Sequence, residues 1–241
     1  MSTTKTEISR WRQTVQRSIN RGPGFQLFVT SIAAFVVLAV LVASRASWIV
    51  SLDGTVQEEL IELRRPWLNE TMIWVTRLGS RWTIGTLLLL LAVWVVRTGR
   101  CQRALTVMTI AFLANPPLEY ALKTIVDRPR PDLARLVPGN GPSFPSGHVL
   151  ATVGFYGVLA AVLWRSSNRT AVRVAGYVAA TTIILGVAIS RVYLDVHWFS
   201  DVVGALLVGT AFVITVAWSL RGHHFGGELG CEFSTRTRIS E

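Results

Sequence analysis

Apolar residues fall into six long runs separated by short polar stretches: Phe25–Ala43, Trp82–Val96, Ala104–Leu122, Val149–Trp164, Val172–Ile189 and Val202–Leu220. A bilayer's hydrocarbon core takes about 20 residues of helix. The pattern therefore predicts an all-α protein with six transmembrane helices, the shorter runs borrowing flanking residues or sitting where the bilayer thins. The first run could be a signal peptide, but 24 residues precede it and it exceeds the usual apolar length of about 7–15, so it reads as a retained anchor. Between the first two runs, from Ser47 to Ser80, Val56, Leu60 and Leu63 recur at helical spacing. Asp53-Gly54 is expected to open one short helix and Pro66 to separate it from a second, giving two amphipathic surface segments that pack as a lid or shape access to a site.

Composition changes the picture mainly through charge. The 241 residues are 51% hydrophobic and 16% charged, yet carry a net +10. In a polar chain that excess would suggest nucleic acid; here basic loops between spans account for it, and no nucleic-acid partner is expected. The N-terminal tail holds Lys5, Arg10, Arg12, Arg17 and Arg21. The even loops add Arg97, Arg100, Arg103, Arg165, Arg169 and Arg173, and the C-terminal tail Arg221, Arg236 and Arg238. All lie on one side of a six-span arrangement, so the positive-inside rule puts both termini in the cytoplasm. The expected organisation is a cytoplasmic tail at 1–24, a membrane domain at 25–220 and a second cytoplasmic tail at 221–241. Cys101 and Cys231 would then face a reducing compartment, and no disulfide is expected.

Three polar clusters converge on the opposite side. The third run leads into Lys123-Thr-Ile-Val-Asp-Arg-Pro-Arg130-Pro131, the fourth follows Pro145-Ser146-Gly147-His148, and the fifth leads through Ser190-Arg191 to His197 and Asp201. Lys123, Arg130 and Arg191 are fixed cations suited to phosphate oxygens. Ser146 and Gly147 offer a hydroxyl and backbone N–H groups at a helix start. His197 and Asp201 are four apart and share a face on a helical turn, where the carboxylate can orient the ring and leave the other nitrogen as a nucleophile. His148 could then act as general acid.

The motifs K-x6-R-P (Lys123 to Pro131), P-S-G-H (Pro145 to His148) and S-R-x5-H-x3-D (Ser190 to Asp201) resemble the tripartite signature of the type-2 phosphatidic acid phosphatase superfamily, with every position matched and in order. The resemblance implies a metal-independent phosphatase without cofactor. His197 is its nucleophile, forming a phosphohistidine; Asp201 orients it, His148 protonates the leaving group, and Lys123, Arg130, Ser146, Gly147 and Arg191 hold the phosphate. The expected substrate is a membrane lipid phosphate met at the outer face of the plasma (inner) membrane: isoprenyl pyrophosphate, phosphatidic acid or phosphatidylglycerophosphate. Alternatives are phosphotransfer to another acceptor, a metal-dependent reaction using the nearby aspartates, hydrolysis of a soluble phosphate, and a non-catalytic lipid-phosphate transporter. Outside the signature, Glu119 is expected to position Lys123 or face a wet cavity, Asn115-Pro116-Pro117 to kink the third span, Arg128 to play a supporting role, and Asp127, Asp132 and Asp195 to be loop residues. The oligomeric state is not legible.

Overall fold

A computed structural model of the chain describes residues 22–99 and 101–219. Every regular element among them is helical: α1 (Pro23–Ala43), α2 (Ser47–Glu62), α3 (Pro66–Arg77), α4 (Arg81–Thr98), α5 (Gln102–Val126), α6 (Gly147–Ser166), α7 (Thr170–Tyr193) and α8 (Phe199–Ser219). Each of the six apolar runs forms a helix. Five of these, α1, α4, α6, α7 and α8, are long and apolar enough to cross a membrane. The 25-residue α5 has the length but carries Asn115, Glu119 and Lys123 along its second half, which lowers its hydropathy. The two expected tails fall largely outside the described residues.

Helix α6 is the centre. In its apolar stretch 61% of the residues are buried, against 17% in α1, α4 and α7, and it touches α4, α5, α7 and α8. Small residues permit this: Gly209 of α8 faces Val153, and Ala205 is fully buried between the helices. Val153–Gly157 widen into one π-helical turn in the middle of α6. Beside it, Asn115 Nδ2 donates to the Leu150 carbonyl at 3.2 Å. Pro116 and Pro117 follow immediately, and α5 continues through them as one helix.

The stretch from Ser47 to Ser80 departs from its expected form. Helix α2 begins at Ser47, so Asp53 lies inside it rather than at its start. Its buried residues are Ile49, Asp53 and Gln57, a stripe at four-residue spacing that is two-thirds polar. Pro66 does open the second helix, occupying its first turn where the missing N–H costs nothing. These helices pack on the body of the protein. Helix α3 lies along α7, α2 contacts α7 and α8, and the Arg64 guanidinium between them donates to the carbonyls of Ala134 (2.6 Å) and Tyr193 (2.7 Å). Cys101 is buried at the start of α5, and Cys231, the other cysteine of the chain, lies outside the described residues, as does the expectation about a disulfide between them.

Candidate active site

The three clusters meet at one end of the bundle, at the end of α5 and the starts of α6 and α8. The Ser146 N–H donates to the Asp201 carbonyl at 3.1 Å, tying the second motif to the third. Phe144, fully buried, packs on Phe35 of α1 with ring centroids 5.8 Å apart and fixes the chain just before it.

His197 sits in the short connection between α7 and α8, 2% exposed. Its Nδ1 faces Asp201 Oδ2 at 3.4 Å, a long contact. Its Nε2 lies 3.1 Å from Arg130 Nη1. An arginine can only donate, so Nε2 receives that N–H and the ring proton is on Nδ1. Burial first, then the charges of Arg191, Arg130 and Lys123, push the ring well below the ordinary histidine value of 6.5. His197 is therefore neutral, with its lone pair on Nε2.

Asp201, fully buried in the first turn of α8, has both carboxylate oxygens engaged. Arg128 Nη1 binds Oδ1 at 2.7 Å, and the Trp198 N–H binds Oδ2 at 2.9 Å. Arg128, beside the first motif, is thus in direct contact with Asp201.

The expected phosphate-holding residues surround this pair. Lys123 Nζ donates to the Pro142 carbonyl at 2.7 Å and faces Glu119 Oε1 at 3.4 Å. Arg130 spends its donors on the carbonyls of Asn140, Gly141, Pro142 and Val196 as well as on His197. Arg191, 5% exposed, donates from Nη1 to Thr76 Oγ1 of α3 at 2.9 Å. Among the described residues, Ser146 Oγ and Arg191 Nε are buried with no hydrogen-bond partner. Unpaired buried donors are costly, and each is a donor that an anion could use. His148 stands on the first turn of α6, within electrostatic range of Arg191, His197, Arg81 and Arg130.

Three contributors escaped the sequence reading. Arg81, at the start of α4, donates to Glu119 Oε2 at 2.5 Å, so Glu119 lies between Arg81 and Lys123. Thr76 receives Arg191. Asp53, 1% exposed, accepts from Arg128 Nη2 at 2.6 Å and from both the N–H (2.8 Å) and the hydroxyl (2.6 Å) of Ser200. Only Asp53 left a trace in sequence, through its phase with Ile49 and Gln57. Asp195 is a loop residue, as expected, yet fully buried: its Oδ2 accepts the N–H groups of Leu133 and Ala134.

Known proteins resemble this chain in both sequence and fold. The model of the PAP2 superfamily matches residues 102–224, from the start of α5 through all three motifs. Phosphatidylglycerophosphatase B of Bacillus subtilis is 32% identical over 180 residues, covering 73% of this chain and 85% of that protein. Mouse glucose-6-phosphatase 3 is 28% identical over 179 residues, covering 66% and 50%. The crystal structure of the transmembrane PAP2-type phosphatidylglycerolphosphate phosphatase from Bacillus subtilis superposes with a TM-score of 0.76 at 29% identity, over 82% of this chain and 98% of that one. Aquifex aeolicus LpxE shares the fold, with a TM-score of 0.51 at 22% identity over 68% and 92%. The family model over half of the chain and a relative at 32% identity show that the chain belongs to the PAP2 superfamily, the type-2 phosphatidic acid phosphatases, and its several helices apolar enough to span a bilayer make it a multi-pass membrane protein.

Proposed function

We propose that this protein is a membrane phosphatase that hydrolyses the phosphomonoester or pyrophosphate of a lipid through a phosphohistidine at His197. One observation carries the reading: a neutral His197 has its lone pair on Nε2 and stands among Lys123, Arg130 and Arg191. Of the three substrate types, phosphatidylglycerophosphate has the added support of the Bacillus relative's name. In this reading α5 also spans the membrane, third in chain order, which brings the spans to six, its polar residues facing the bundle. Both termini are cytoplasmic and the site opens on the non-cytoplasmic face of the plasma membrane. Trp48, Trp67, Trp74 and Trp82, all exposed on α2, α3 and the start of α4, support a site at headgroup depth, where such rings collect.

The chemistry is two displacements. The phosphate enters against Lys123, Arg191 and the N–H groups at the start of α6, and one of its oxygens takes over the Arg130 Nη1–H that covers Nε2. The freed Nε2 lone pair then forms a bond to phosphorus as the bond to the leaving oxygen breaks, and His148 gives that oxygen its proton. Asp201 compensates the positive ring. Water, giving its proton to His148, then attacks phosphorus and the P–N bond breaks, releasing phosphate and neutral His197. Fixed cations aimed at the phosphoryl oxygens stabilise both transition states without reorganising. They also supply the charge a divalent metal would bring.

The test is phosphate release by purified protein in detergent, across isoprenyl pyrophosphate, phosphatidic acid, phosphatidylglycerophosphate and a sugar phosphate, with and without excess chelator. The expected result is turnover of at least one lipid phosphate, faster than the sugar phosphate and unchanged by chelator. Loss of activity restored by Mg²⁺ would overturn the metal-free mechanism. A related result concerns Glu119. Glu119→Gln removes the negative charge that faces both Lys123 and Arg81, so kcat/KM is expected to fall about tenfold, mainly through KM, as for a weakened binding interaction. Unchanged steady-state constants would exclude a positioning role.

A further inference from the structure

Helix α2 reaches the site through a buried chain of charges that the proposed reaction does not itself require. Arg128 lies between two carboxylates. Its Nη1 binds Asp201 Oδ1 and Ser200 Oγ, both at 2.7 Å, and its Nη2 binds Asp53 Oδ2 at 2.6 Å. The Ser200 hydroxyl and N–H close the ring on Asp53, and the guanidinium lies 5.4 Å from the centroid of the Trp198 ring. Asp53 and Asp201 are 1% and 0% exposed, so solvent screens little of this.

We propose that Asp53 is a positioning residue that acts on Asp201 through Arg128. Two effects combine. Pinned between the carboxylates, Arg128 holds Asp201 Oδ1, so that Oδ2 cannot turn away from the Trp198 N–H and His197. Asp53 also supplies the counter-charge for Arg128. Without it, Arg128 would be neutralised by Asp201, at the expense of the positive charge that builds on the His197 ring as Nε2 bonds to phosphorus. Asp53 is too far along this chain to touch phosphate, so its effect belongs to kcat. The inference rests on the phosphohistidine reading above and extends it to α2.

Asp53→Asn is the discriminating variant, since its amide oxygen can still accept the Ser200 N–H while the charge facing Arg128 is gone. Expected is a kcat lowered about 10- to 100-fold, as for small misplacements of reacting groups, with KM within about twofold and a preserved melting transition. In an Arg128→Gln background, itself slow, adding Asp53→Asn is expected to change kcat by less than about twofold, because residues acting as one unit are not additive. An Asp53→Asn enzyme with the unmodified kcat, a loss confined to KM, or an equal further loss in the Arg128→Gln background would each overturn the assignment. If Asp53→Asn alone does not fold, the comparison of Arg128→Gln with the double variant decides it, because the double variant leaves neither member of the pair as an unpaired buried charge. The unmodified chain and His197→Ala are run alongside. Release that persists in His197→Ala, or none from the unmodified chain, overturns the phosphohistidine reading and this inference with it, whereas normal controls with an unaffected Asp53→Asn overturn the inference alone.

Discussion

His197→Ala is expected to reduce phosphate release by at least about four orders of magnitude, as removal of a nucleophile or its activating base does elsewhere, while binding of the uncleaved lipid phosphate changes by less than about tenfold. The two halves of this expectation have different sources. In the proposed reaction, catalysis depends on one lone pair, that of Nε2, oriented by a proton on Nδ1 and exposed when the Arg130 N–H is drawn to the incoming phosphate. Binding, as proposed, rests on Lys123, Arg130 and Arg191, each held by groups other than the imidazole: the Pro142 carbonyl, the carbonyls of residues 140–142 and 196, and the Thr76 hydroxyl. Truncating the ring leaves those anchors in place. Phosphate release and equilibrium binding of the same lipid by the same preparation check both halves. A lipid-phosphate transporter using these cations without turnover would translocate lipid equally well with alanine at 197. Wild-type rates of phosphate release from the variant would dismiss His197 as nucleophile.

The parts of this structure that were legible in sequence are those governed by local rules. Apolar length placed six helices, and motif spacing placed His197 one turn before Asp201. Topology alone implied that the ends of the third and fifth apolar runs and the starts of the fourth and sixth share one end of the bundle. What local rules missed was polar burial. In α2 the hydrophobic period pointed to Val56, Leu60 and Leu63, but the stripe buried deepest is Ile49, Asp53 and Gln57, whose polar groups are satisfied by distant partners: Arg128 and Ser200 for Asp53, and the Val192 carbonyl for Gln57. The same happens in α5. Its buried stripe runs Met108, Ala111, Asn115, Glu119, apolar at one end and charged at the other. A charged residue is buried only where a partner meets it, and the partner's identity lies elsewhere in the chain. Arg81 and Thr76 carry no motif at all. They reach the site because α3 and α4 are folded against α7 and α5, which no spacing in their own segments encodes.

Gly147→Ala is expected to be the most damaging single-methyl change in the site. A Cβ at residue 147 would overlap the Glu119 carboxylate, all three of whose terminal atoms lie closer than van der Waals contact allows. Neither side can yield cheaply. The carboxylate is held by Arg81 and Lys123, and the start of α6 by the Ser146 N–H on the Asp201 carbonyl and by the Leu150 N–H on the Ser146 carbonyl. If Glu119 moves, Lys123 loses its partner; if α6 moves, the N–H groups and His148 leave their places around the phosphate. Overpacking of this kind costs about 1–3 kcal/mol of stability. Displacement of the anion site by a fraction of an ångström to 1 Å is expected to lower kcat/KM about 100-fold. The cause is tested by a second substitution. Glu119→Ala removes the atoms that the new methyl meets, so Gly147→Ala in that background should cost less than alone, with a coupling of about 0.5–3 kcal/mol in melting and in kcat/KM. Strictly additive losses would mean that the harm arises instead from the conformation of the Ser146–His148 turn, and that its approach to Glu119 is incidental.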